Sequence, residues 1–183
     1  LRSMAMCNQF RMRGIERIMH VSCQDRNRLA LQSDLLGAWI LKIKNVLALT
    51  GDHTRLGDQP AAKAVFDLDS VQLLHLISTL NSGLDLAGKH LDGKPRFFVG
   101  AVANPFADLL ELQVMKMRKK VDAGAQFFQT QAVFAVDVFR GFVEQVRAAG
   151  VDAQVEKVED IARIVAHDVM VTPALVIDGE VDS

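Results

Sequence analysis

The chain has 183 residues, half of them hydrophobic, and a formal net charge of −1 at pH 7. That length fits one ordinary domain, or one with a small second unit, and the apolar half can fill a core. The near-zero charge argues against nucleic acid as the main partner, and no apolar run approaches the ~20 residues that span a bilayer.

Residues 1–13 read as a helix with Met4, Met6 and Phe10 in an irregular apolar stripe, ended by Gly14; they lack the apolar core of a signal peptide. Residues 17–23 read as a strand. Asp25 or Asn27 then caps a helix to about Lys44, with Leu31, Leu35, Ala38 and Leu41 on one face. The two cysteines, Cys7 and Cys23, lack the C-x-x-C spacing of a redox motif or zinc knuckle, which suits a reducing, cytoplasmic setting.

Val46, Leu47, Ala48 and Leu49 form an unbroken apolar run, the mark of a buried strand. The run turns into Thr50, Gly51, Asp52 and His53. Loops at the carboxyl ends of parallel strands are where α/β proteins hold ligands. Gly51, having no Cβ, lets a ligand come close to the backbone, and Asp52 and His53 form an ionisable pair at the mouth. A solvated turn with a helix cap is the plainer account of Thr-Gly-Asp taken alone.

Residues 54–64 are a polar loop, long enough to be functional. Asp69 or Ser70 caps a helix that turns Leu73, Leu74, Ile77 and Leu80 inward. After a glycine-bearing connection, residues 96–102 read as a strand. Asn104 and Pro105 open a helix carrying Leu110, Val114, Met117 and Val121, with Pro105 in its first turn. Residues 127–134 read as a strand and residues 137–149 as a helix ended by Gly150. This alternation gives four β/α units, hence parallel strands with right-handed crossovers; part of an eight-stranded barrel and an open doubly wound sheet both satisfy it. Past residue 150 the pattern changes. Residues 151–158 alternate as a strand, residues 161–167 form a short helix, Thr172 and Pro173 lead a strand, and Asp178-Gly179 signals a hairpin.

The strand ends collect His20 and Cys23; then Thr50, Gly51 and Asp52; then Ala101, Ala103 and Asn104; then Gln129, Thr130 and Gln131. Lys116, Arg118, Lys119 and Lys120 lie on the helix between the last two strands. Amides, a carboxyl group, an imidazole and cations suit a polar, partly anionic, planar ligand better than a nucleophile triad. There is no G-x-S-x-G, P-loop or G-x-G-x-x-G. Each residue has a plainer role too: His20 as a hydrogen-bonded core histidine, residues 116–120 as a solvated helix face, Gln131 as a partner for buried backbone.

The segments H-V-S-C-Q-D-R-N-R-L-A-L-Q-S-D-L-L-G-A, N-V-L-A-L-T-G-D-H, G-A-V-A-N-P-F and K-V-D-A-G-A-Q-F-F-Q-T-Q stand in this order. Together they resemble the methylenetetrahydrofolate reductase family, over about residues 1–150. The resemblance implies part of a TIM (β/α)8 barrel with noncovalent FAD at the strand carboxyl ends. It implies hydride transfer from reduced flavin to 5,10-methylenetetrahydrofolate, giving 5-methyltetrahydrofolate, with NAD(P)H or a partner redox protein as electron donor. Residue by residue, it implies a flavin-side role for His20, Leu49, Thr50, Gly51 and Asp52. It makes Asp52 the catalytic carboxyl group near both flavin and folate. Asn104 stands where some members carry a flavin-contacting histidine, Lys120 matches a lysine serving the FAD phosphates, and Gln131 matches a folate-contacting glutamine.

The sequence also departs from the family. It has no E-F-F-P-P-like segment, which in the family carries the general-acid glutamate, and lacks the barrel's first two strands, so folate reduction by this chain is expected to be impaired. Residues 151–183 resemble the second half of a small thioredoxin-like redox protein, without its cysteine-bearing half. Two units are therefore expected, residues 1–150 and residues 151–183. A noncatalytic structural or interaction protein, self-associating through its sheet edges, and a chimera of two fragments stay open as alternatives.

Overall fold

The structure, a computed structural model, describes residues 3–152. Helices and strands alternate as α1 (Ser3–Met12), β1 (Ile18–Ser22), α2 (Arg28–Ile40), β2 (Asn45–Leu49), α3 (Ser70–Ser82), β3 (Phe98–Ala103), α4 (Leu110–Asp122), β4 (Phe127–Thr130) and α5 (Val136–Ala148), with one 3-10 turn at Thr54–Leu56. The strand order is sequential, β1-β2-β3-β4. The chain divides into two compact units, Leu1–Val99 and Gly100–Ser183. The strand, helix and hairpin expected beyond Val151 lie outside the described residues.

In the first unit β1 and β2 pair in parallel, with Ile18 opposite Asn45 and Ser22 opposite Leu49. β1 buries Met19 and Val21 and exposes Ile18 and His20, the alternation of a strand covered on one side. β2 buries Val46, Leu47 and Ala48 in succession. The first residue of β3 joins it, the Phe98 N–H donating to the Lys44 carbonyl at 2.9 Å. α1 packs against β1 and α3 against β2. α2 starts where Asn27 accepts the Ala30 N–H and buries Leu31, Leu35 and Ala38. α3 starts with a full capping box between Asp69 and Gln72 and buries Leu73, Leu74, Leu76, Ile77 and Leu80. Each such side chain contributes about 1.5–3 kcal/mol relative to exposure, which outweighs any single cap.

α2 ends at Ile40, short of the expected Lys44, because Lys42 takes the left-handed conformation (φ 59°). Its N–H donates to the Trp39 carbonyl and that of Ile43 to the Ala38 carbonyl, closing the helix end as a glycine would.

In the second unit β3 and β4 pair in parallel from Gly100 opposite Phe127 to Ala103 opposite Thr130. A Cβ on Gly100 would lie 2.2 Å from the Phe127 ring, so the missing side chain lets that ring lie against the strand. α5 buries Phe142, Val143 and Val146, and the Arg118 guanidinium of α4 donates to the Ala149 carbonyl at 2.7 Å.

Two expected boundaries move. α4 begins at Leu110 rather than at Asn104 and Pro105. Asn104 Oδ1 accepts the Phe106 N–H at 3.0 Å, closing a side-chain turn across the buried Pro105 instead of a helical turn. β4 stops at Thr130 rather than at residue 134: the Gln131 N–H donates to the Ala103 carbonyl at 3.3 Å, and Phe134 lies 93% exposed in the loop beyond. Among the described residues no helix is long and apolar enough to cross a membrane.

Candidate functional site

In the first unit the candidate residues gather at the carboxyl ends of β1 and β2. The register sets His20 opposite Leu47 and Ser22 opposite Leu49, so by strand alternation these four share a face. The imidazole of His20 stands on the exposed face, yet neighbouring atoms strip enough water from it to push its pKa below the ordinary histidine value. It is therefore neutral at pH 7, able to donate from one nitrogen and accept at the other.

Thr50 Oγ1 accepts the Ser70 N–H at 3.0 Å, which fixes the start of α3 at the mouth of β2 and leaves the Thr50 O–H free to donate. Gly51 has φ 84°, a conformation glycine adopts without strain. Its bare side is filled: a Cβ there would meet Ser22 Oγ at 2.2 Å and Gln24 Oε1 at 2.8 Å. Glycine at this position thus serves the close approach of the loop after β1, a different reason from the ligand contact expected of it. Asp52 and His53 are exposed. The expected Asp52–His53 pair does not use His53 Nδ1, which accepts the Arg55 N–H at 3.2 Å; the His53 ring leans on Phe66 at 6.1 Å.

Three loops are stitched around this mouth. The Gln24 N–H donates to Ser22 Oγ, and the Val65 N–H to the Gln24 carbonyl at 2.8 Å. Asp67 takes two hydrogen bonds from the Arg28 guanidinium and one from the Arg28 N–H. Those bonds, the guanidinium's first, hold the Asp67 carboxyl down to about 2. Cys23 Sγ lies 3.7 Å from the Asp69 carbonyl, and burial, with Asp69 and Asp67 nearby, pushes its thiol up to about 11. It is a packing group, not a nucleophile. A groove of about 250 Å³ runs along β1 past Ser3, His20 and Arg26, but the Arg26 guanidinium is already paired with Asp34.

The second unit brings together Asn104 and Gln131, at the ends of neighbouring strands. Asn104 spends its Oδ1 on the Phe106 N–H. Gln131 is exposed, with its backbone N–H bonded to Ala103. Lys120 Nζ donates to the Val102 carbonyl at 2.6 Å, so it is anchored on β3 rather than standing on a solvated face. Lys116 and Lys119 are exposed. Thr130 is buried, and among the described residues its hydroxyl has no hydrogen-bond partner. Sequence reasoning missed the work of Ser22 and Gln24. Their position at and just past the carboxyl end of β1 was the available signal, but no motif marks it. Among the described residues no cluster of three or more His, Cys, Asp or Glu could hold a metal ion.

Sequential β/α units with polar loops at the strand carboxyl ends define the class: an α/β protein whose architecture is consistent with part of a β/α barrel. Comparison with known proteins narrows it. The family model described as methylenetetrahydrofolate reductase matches residues 2–169, and the chain belongs to that family. The match continues past Gly150, where the resemblance read from the sequence was expected to end. Similar proteins include methylenetetrahydrofolate reductase 1 of Schizosaccharomyces pombe, 25% identical over 142 residues, which are 75% of this chain and 21% of that protein. The 5,10-methylenetetrahydrofolate reductase of Pectobacterium carotovorum is 24% identical over 78% of this chain and 42% of its own length. Methylenetetrahydrofolate reductase 2 of Saccharomyces cerevisiae is 27% identical over 78% of this chain and 23% of its own length. The chain thus spans between about a fifth and two fifths of these relatives.

Proposed function

We propose that this chain carries the flavin-side part of a methylenetetrahydrofolate reductase-like oxidoreductase, reducing 5,10-methylenetetrahydrofolate to 5-methyltetrahydrofolate. The observation that carries the reading is the Leu49, Thr50, Gly51 and Asp52 loop at the carboxyl end of β2, in a chain that belongs to this family. Family membership favours this reading over the interaction-protein alternative.

The donor set fits a flavin. The edge of an isoalloxazine ring alternates hydrogen-bond donors and acceptors, and the first unit offers both: the neutral His20 imidazole, the Thr50 O–H and the exposed Asp52 carboxyl. FAD, when bound, supplies the hydride, with NAD(P)H or a partner redox protein as its electron source. His20 and Thr50 hold and orient the ring. Leu49 gives it an apolar seat. Asp52 sets a carboxyl group beside the positive charge that develops on the folate as its imine forms, an electrostatic role. Gln131 offers one donor and one acceptor, the pairing that reads a pterin edge.

The test is to add FAD to purified protein, photoreduce it and supply methylenetetrahydrofolate, following flavin reoxidation and 5-methyltetrahydrofolate. Retained flavin with reoxidation slowed by Asp52→Asn supports the reading. Protein that retains no flavin overturns it.

A further inference from the structure

The side chain against the bare face of Gly51 belongs to Gln24, two positions along from the partner of Leu49 in the strand register. Its oxygen lies 2.8 Å, and its Cβ 3.1 Å, from where a Gly51 Cβ would stand. The residue is also tied at both ends of its backbone: its N–H donates to Ser22 Oγ at 3.3 Å, and its carbonyl accepts the Val65 N–H at 2.8 Å. Ser22 touches the same bare face of Gly51, at 2.2 Å from the missing Cβ. Gln24 therefore joins three loops at this mouth: its own after β1, the Gly51 loop after β2, and the loop that leads into α3.

Asp52, the next residue after Gly51, is exposed, so its placement depends on the backbone that carries it. Thr50, on the other side, is held by its bond to the Ser70 N–H. The left-handed turn at Gly51 lies between a pinned residue and an exposed one, and the wedge of Ser22 and Gln24 fills the space into which it would otherwise collapse. We propose that Gln24 is a positioning residue: by packing on Gly51 it fixes the turn that presents Asp52 to a bound flavin. This rests on the flavin reading above for its consequence, though not for its geometry. The packing is a matter of shape, so a side chain of equal length without the amide preserves it, and truncation does not.

The experiment compares Gln24→Ala and Gln24→Met with the wild-type protein on two readouts. The first is trypsin cleavage after Arg55, an exposed site three residues beyond Asp52 that reports freedom of this loop. The second is FAD affinity and the visible spectrum of the bound flavin. Gln24→Ala is expected to speed cleavage at Arg55, weaken FAD binding roughly tenfold and shift the flavin bands, as loss of a supporting side chain does. Gln24→Met is expected to restore all three, which a requirement for the amide itself does not allow. Cleavage and affinity both unchanged in Gln24→Ala overturn the proposal, as does a Met variant that behaves like the Ala variant. If the wild-type protein takes up no flavin while cleavage still follows this pattern, the flavin reading falls and the positioning role of Gln24 stands.

Discussion

The two units use the same β/α alphabet and finish their loops differently. In the first, both helices that follow a strand start on a side-chain cap, Asn27 for α2 and Asp69 for α3. Arg28 and Asp67 then lock together loops 39 residues apart in sequence. In the second, α4 and α5 start at Leu109 and Ala135 with no side-chain cap, and Leu109 and Phe134 are 64% and 93% exposed. The lesson is that the expected catalytic carboxyl, Asp52, belongs to a mouth fixed by side-chain bonds between loops, whereas the expected folate glutamine, Gln131, leads into a helix that starts without a side-chain cap.

The contrast can be broken most severely at the glycines. Gly51→Ala adds a Cβ into Ser22 at a positive φ, and is expected to cost roughly 2–4 kcal/mol in urea unfolding. Gly100→Ala runs into the Phe127 ring, without a positive φ, and is expected to cost about 1–3 kcal/mol, partly recovered in a Gly100→Ala, Phe127→Leu double variant. Equal costs with no recovery would show that the two glycines are not used differently. Next come the caps. Asp69→Ala removes the capping box and is expected to lower stability by about 1–2 kcal/mol, while Ala135→Ser installs a cap where the backbone is already extended (φ −119°, ψ 98°) and should raise it by about 0.5–1 kcal/mol. A neutral Ala135→Ser would mean that the start of α5 is satisfied by other means. The smallest effect concerns Asp67. Its folded pKa is depressed to about 2 from 3.8, so its stabilisation is present above pH ~4 and fades as pH falls through about 2. The difference in urea midpoint between wild type and Asp67→Asn should therefore shrink over that window; a difference that holds at its pH 6 value would remove Arg28–Asp67 from the account.

Much of the first unit was legible because its signals are local. Asn27, Asp69 and the apolar run of β2 each act within four residues of themselves, the distance over which sequence patterns speak. The misjudged boundaries have local causes that compete: Asn104 offers its side chain to the Phe106 N–H more readily than it begins a helix, and Lys42 takes a left-handed turn usually left to glycine. Lys120 was legible as a cation but not as an anchored one, since its partner Val102 lies 18 residues back on another element. Gln24 shows the same gap. Nothing in its neighbours along the chain announces that Gly51 will be its packing partner; that follows only once β1 and β2 are in register.

Cys23 has a consequence for durability. The chain has two cysteines, and both Cys7 and Cys23 are buried with their thiols pushed above the usual range by loss of water. Oxidants attack the thiolate, so peroxide finds these sulfurs in their least reactive form. Oxidative wear would fall instead on the methionines that face solvent, Met12 at 71% and Met115 at 57% exposure. Sulfoxide at those surface positions is reversible and disturbs no core, so the molecule takes its oxidation where it can be repaired.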